Sequence, residues 1–242
     1  MKEKRTILTP SIDCYQNPFL PKGFTYATGE WNTGFVISDE FGNKFTWVPV
    51  GWLENNGTLD GISFDSKFGL RNWYNYDFSQ NGWHETIPKN ILESINEWGG
   101  FYFACYTASI EKGNVVFKKG NLPLIEMTYN EAVEYESSFR TNTEDVNHCL
   151  MLGSAYDSLC QWIIQSGTKT RNEILDDSTD LGNYANNERY HSKVESVELL
   201  PAGLNEDWCI NNIYDLAGNV VDLLKNSIVT TVLFLEVGTT VL

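Results

Sequence analysis

The chain has 242 residues, 42% hydrophobic and 14% aromatic, enough apolar material for one sizeable core and too much for a disordered chain. A formal charge of −15 repels phosphate backbones, and no lysine or arginine cluster is denser than Lys2-Glu3-Lys4-Arg5, so nucleic acid is excluded as a partner. The longest apolar run, near Ile228 to Leu235, is too short to span a bilayer, and the first residues lack the apolar stretch of a signal peptide. A cytoplasmic soluble protein without membrane insertion is expected.

Five cysteines (Cys14, Cys105, Cys149, Cys160, Cys209) form no C-x-x-C pair and are odd in number, so free thiols are expected rather than a zinc ribbon or a closed disulfide framework. No two of His84, His148 and His191 lie at metal-ligand spacing.

Residues 1–22, with Pro10, Pro18 and Pro21 among polar neighbours, read as an N-terminal arm. Phe41, Phe45 and Trp47 alternate along a predicted half-buried strand, led in by Gly42-Asn43 and ended by Pro49 and Gly51. Residues 54–86 carry Gly, Asn, Asp and aromatics without a period and read as a long variable loop. Within it, Trp73 and Trp83 are the best candidates for an exposed ligand-binding platform. Pro88 opens a predicted helix with Ile91, Leu92, Ile95 and Trp98 on one face, and Gly99-Gly100 closes it before a strand beginning at Phe101.

Thr128 and Glu131 have the spacing of a capping box and predict a helix through Tyr135 to about Phe139. Ser154 with Asp157 predicts a second helix start, with Leu159, Trp162 and Ile163 on one face and Gly167 as the stop. Asp177 to Tyr184 reads as a turn.

Asn205 to Val220, Asn-Glu-Asp-Trp-Cys-Ile-Asn-Asn-Ile-Tyr-Asp-Leu-Ala-Gly-Asn-Val, closely resembles the signature segment of the formylglycine-generating-enzyme-like (sulfatase-modifying factor) family, a variant of the C-type-lectin fold. Phe45-Thr-Trp-Val-Pro-Val-Gly51 resembles its first core strand. Gly99-Gly-Phe-Tyr-Phe-Ala-Cys-Tyr-Thr-Ala108 is similar to the family's Gly-Gly-Phe-Tyr-Ile-Ala-Arg-Tyr-Glu-Ala, with Cys105 in place of Arg and Thr107 in place of Glu. Leu181 stands where Trp is common. The resemblance implies an α+β domain over 23–221, incomplete at its C-terminus, with two or three helices against a small antiparallel sheet and long loops.

In the family the signature is followed by Trp-Glu-Trp-Thr and later by Ser-Arg-Gly-Gly-Asn-Tyr. Here residues 222–242 depart from that pattern. Phe234 to Thr240 can be written TTT CTA GAG GTG GGA ACT ACA, and reading from the third base gives Ser-Arg-Gly-Gly-Asn-Tyr, the expectation being a frameshift shortly after Val220. An aberrant tail of this composition, apolar and β-branched, is expected to lack a partner and to favour self-association.

The family's enzymes resemble copper-dependent oxidases that hold the metal through two downstream cysteines, and this chain has none after Cys209. Its iron-dependent relatives need three histidines in a set. Neither copper nor iron is expected. The family's calcium loop maps onto Asp215, Gly218, Val220 and Asp222, which makes calcium the cofactor to look for. The resemblance thus favours a non-catalytic ligand-binding or display module of phage or bacterial origin, virion-associated in some relatives and directed at a cell-surface or protein ligand. The alternative is a sulfatase-modifying oxidase.

Overall fold

The computed structural model describes residues 20–30, 34–49, 52–53, 64–65, 100–139, 146–175, 181–183, 199–219 and 233–237. In chain order the strands are β1 (Phe24–Thr28), β2 (Val36–Asp39), β3 (Lys44–Pro49), β4 (Trp52–Leu53), β5 (Phe64–Asp65), β6 (Gly100–Ala104), β7 (Ser109–Glu111), β8 (Asn114–Val116), β9 (Val146–Leu150), β10 (Cys209–Ile210), β11 (Ile213–Tyr214) and β12 (Leu233–Val237). The helices are α1 (Tyr129–Ser138), α2 (Gly153–Gln165) and α3 (Arg171–Leu175). This is a mixed α+β architecture with a small antiparallel sheet and few helices.

Six strands make the main sheet in the order β1-β2-β3-β6-β12-β9, every neighbouring pair antiparallel. The β2–β3 connection forms because Asp39 gathers it: its Oδ1 accepts the Asn43 N–H at 2.8 Å and its Oδ2 the Asn43 side-chain amide at 2.7 Å. Asn43 in turn accepts the Phe117 N–H at 2.8 Å, which pins the turn to the strand leaving β8. Phe41, expected on the strand's buried face, is exposed in this turn instead, because the strand begins only at Lys44.

The core gathers Phe45 and Trp47 of β3, Phe101 and Phe103 of β6, and Leu159, Trp162 and Ile163 of α2. Each such side chain contributes about 1.5–3 kcal/mol when fully buried, so this cluster dominates the apolar stabilisation. All five residues of β6 are buried, which fits a strand covered on both faces.

Thr128 caps α1 as predicted: Glu131 N–H donates to its hydroxyl and the Glu131 carboxylate accepts the Thr128 N–H at 2.7 Å. The second start differs from expectation. α2 begins at Gly153 after extended Leu152, with no side-chain cap, so Ser154 lies inside the helix. A further capping box, Thr170 with Glu173, opens α3. Gly167, with φ of 77°, follows the end of α2 as expected.

Leu233–Val237, within the segment expected to be aberrant, forms β12 between β6 and β9. Its run of Leu, Phe and Val has the composition of a strand that reads well in the middle of a sheet. The segment expected to lack a partner therefore pairs on both sides. The predicted helix at 88–98 and most of the turn at 177–184 lie outside the described residues. Among the described residues, no helix is long and apolar enough to cross a membrane.

Candidate functional site

The segment 205–219 folds as a single turn of 3-10 helix, Glu206–Trp208, followed by the hairpin β10–β11. Asn205 caps the turn by accepting the Asp207 N–H at 3.1 Å. The hairpin loop, Asn211-Asn212, has φ of 49° and 63°, the left-handed pair that matches a tight hairpin to strand twist and that asparagine tolerates.

Both asparagines then reach outward. Asn211 accepts from the Thr168 hydroxyl at 2.7 Å and donates to Ser166 Oγ at 3.1 Å, which ties the loop to the end of α2. Its carbonyl accepts from the Thr46 hydroxyl of β3 at 3.3 Å. Asn212 donates to the Gly34 carbonyl at 2.7 Å. Only glycine fits at 34, where φ is 98° and a Cβ would stand 2.0 Å from the Asn211 oxygen.

Downstream, Asn219 Nδ2 donates to the Leu200 carbonyl at 2.9 Å, while its Oδ1 accepts the Leu200 N–H at 2.9 Å and the Asn183 amide at 3.0 Å. A Cβ at Gly182 would lie 1.8 Å from the Ala217 oxygen, so residues 181–183 run hard against this segment. The polar side chains of the signature are therefore largely committed to holding four separate loops together.

Asp215 has φ of 52°, and its Oδ2 accepts the Gly203 N–H at 2.8 Å. Burial pushes its carboxyl above the ordinary value, and the Gly203 hydrogen bond opposes that rise. Gly218 is half-buried with φ of 86°. Val220 and Asp222, the other two positions of the expected calcium loop, lie outside the described residues, as do Trp73 and Trp83. Gly203 holds one Asp215 oxygen, and among the described residues no group of three or more His, Cys, Asp or Glu side chains is placed to hold a metal ion.

Beside Asp215 lies a shallow cleft open to solvent, with room for about one water, lined by Tyr106, Thr107, Tyr156, Ile213, Tyr214 and Asp215 among others. Tyr106 stacks on Tyr214 with ring centroids 5.0 Å apart and planes at 21°. The Tyr214 hydroxyl donates to Glu206 at 2.6 Å, and Lys119, paired with Glu206, holds its ammonium 5.5 Å from the Tyr214 ring centre.

The thiols nearest this hairpin are Cys105 and Cys209. Burial pushes both above the ordinary thiol value, which favours the protonated form over the thiolate a soft metal requires. No protein-family model, curated protein or solved structure matches the chain.

Asp215 was readable from sequence as a candidate, whereas Thr107 stood out only as a departure from the family's Glu. Tyr106 and Tyr214 carried no signal, because nothing in the sequence announces that residues so distant stack.

Proposed function

We propose that this chain is a non-catalytic ligand-binding domain of the formylglycine-generating-enzyme-like, C-type-lectin-like kind, of phage or bacterial origin, and that it displays a binding face to a cell-surface or protein ligand. The observation that carries this reading is the use of the signature segment as a clamp: Asn211, Asn212 and Asn219 spend their amides on backbone and side chains of neighbouring loops. A segment so employed supports a scaffold that presents loops better than one that turns over substrate.

The test has two arms. Purified protein given Cu(I), oxygen and a cysteine-containing sulfatase peptide should yield no formylglycine by mass spectrometry; aldehyde above a metal-free control restores the oxidase alternative. Labelled protein should bind saturably to arrayed bacterial surface polysaccharides and proteins, and weaken on Trp73→Ala or Trp83→Ala. Absence of saturable binding across the array overturns the display reading.

A further inference from the structure

β1 ends the main sheet on one side, with β2 as its strand partner among the described residues. An edge strand turns half of its backbone N–H and C=O groups away from its neighbour, where another chain can pair with them. Folds blunt such an edge with charge, proline or a covering element. β9, at the opposite end, has α1 against it, with His148 Nδ1 2.8 Å from Glu136 Oε1. β1 differs: Phe24-Thr-Tyr-Ala-Thr28 carries no charge and no proline, and its last four residues are exposed. Its protection is a register shift between Tyr26 and Thr28, which shortens the stretch that can pair without closing it off.

The two ends of β1 narrow the choice of partner. Gly23 and Gly29, with φ of 88° and 82°, bound the strand, and just beyond them stand exposed Lys22 and Glu30. Tyr26 is the midpoint between these two charges. Two copies of β1 laid antiparallel about a two-fold axis at Tyr26 set Lys22 of each copy opposite Glu30 of the other, and Thr25 opposite Ala27. A parallel pair sets like charge against like, which selects the antiparallel one. At the centre the two Tyr26 rings meet, each 54% exposed and already ordered by its contact with Phe35 and its hydroxyl's bond to the Gly29 carbonyl, so little freedom is lost on pairing. The chain's charge of −15 opposes association at long range, but screening over about 8 Å at physiological ionic strength weakens that repulsion, whereas the flanking pairs act at contact.

We infer that β1 is a self-association edge: two copies of this chain pair antiparallel through Phe24–Thr28, with a Lys22–Glu30 ion pair closing each end. The contact is isologous, so it stops at two copies and joins two six-stranded sheets into one. It is also short, so the dimer forms and dissociates with concentration. The inference goes beyond the binding-module reading: two domains joined in this way offer their ligand faces as a pair, which strengthens attachment to a surface carrying many copies of one ligand.

Sedimentation equilibrium of the full chain at physiological ionic strength, over a concentration range of about a hundredfold, should show a monomer–dimer equilibrium. Amide hydrogen exchange at 24–28 should slow as concentration rises. Lys22→Glu and Glu30→Lys should each weaken the dimer by about fivefold or more, because either one sets like charges together at both ends. The double swap, Lys22→Glu with Glu30→Lys, should return the dimer to within about twofold of the parent. Glu30→Lys makes the chain less negative, so a weaker dimer in that variant cannot come from overall repulsion. Thermal melts matching the parent's show that these exposed substitutions leave the fold intact. A parent that stays monomeric at every concentration overturns the inference and leaves the edge to an extended segment of another protein. A dimer that ignores the single substitutions, is not restored by the double swap, or forms without slowing exchange at 24–28 overturns it as well.

Discussion

Asn219 grips Leu200 from both sides, donating to its carbonyl and accepting its N–H, each at 2.9 Å. This is the geometry of a strand pair reproduced by one side chain, and it joins the end of the signature segment to the loop that precedes it. Asn219→Ala removes these bonds and the one from Asn183, and leaves a bulky backbone at φ of 66° without an asparagine's tolerance for it. Urea unfolding should show a loss of about 2–4 kcal/mol. A loss under about 0.5 kcal/mol, the range of an ordinary surface substitution, removes Asn219 from the clamp.

Gly34→Ala sets a methyl 2.0 Å from a backbone oxygen that no rotamer can move. The hairpin must shift away from β2 and β3, breaking the Thr46 and Asn212 contacts with it. The expected cost is about 2–4 kcal/mol, measured by thermal melt and chemical denaturation. A melting temperature equal to the parent's shows that the contact is relieved at no cost.

Acid and base act on this protein in opposite directions at different carboxylates. Glu131 is held below its ordinary value by the backbone N–H and then the hydroxyl of Thr128, and Glu173 by the hydroxyl and then the N–H of Thr170. Their contributions are present above the ordinary glutamate value of 4.5 and fade as pH falls through the lower folded values. Asp215 is raised, so its contribution is present below the ordinary aspartate value of 3.8 and is lost as pH rises through the higher folded value. Asp215→Asn should therefore be at least as stable as the parent at neutral pH, with the parent gaining on it as pH falls. Asp215→Ala leaves the Gly203 N–H unmet and should cost about 1–3 kcal/mol. Melts of the three proteins across pH read the crossing, and a constant difference between parent and Asn variant contradicts the assignment.

The calcium expectation runs through Asp215. Calcium held as the resemblance implies should raise the melting temperature, lose that effect in Asp215→Asn and keep it in Thr107→Val, since a hard cation is fed here by carboxylate and carbonyl oxygens. A rise that survives Asp215→Asn takes the residue out of the metal's ligands.

β12 pairs on both sides, so an amide removed from it is missed. Leu235→Pro strips an N–H from a strand that faces β6 at Tyr102 and β9 at His148. It should cost about 2–4 kcal/mol and promote concentration-dependent association, read by size-exclusion chromatography. An unchanged monomeric profile and melt show that this strand is dispensable to the sheet.

Local signals in the sequence carried well where the physics is local. The Thr128–Glu131 box, the Trp47 strand and the Gly167 stop depend on neighbours within a few residues, and each occurs in the fold. The Ser154 start failed because a preceding extended residue and Gly153 begin the helix earlier, while the equally legible Thr170–Glu173 box went unread. The place of β12 was illegible, because strand order is decided by pairing between segments far apart, and composition says only that a segment will pair. The cleft is similar: Thr107 and Asp215 become neighbours through the β10–β11 hairpin docking on β6, with the Tyr214 N–H donating to the Cys105 carbonyl at 3.0 Å.

The strand order also fixes a sequence of events in time. β1, β2, β3 and β6 follow one another in synthesis and pair in that order, so this half of the sheet can close as soon as residue 104 is available. β9 cannot dock in its final place then, because the strand that separates it from β6 is translated much later. From that moment until 233–237 arrives, β6 presents an open edge to whatever is near it. The nascent chain therefore carries a vulnerable interval as long as the translation of the intervening residues, and its yield in a cell depends on what shields that edge while the ribosome finishes.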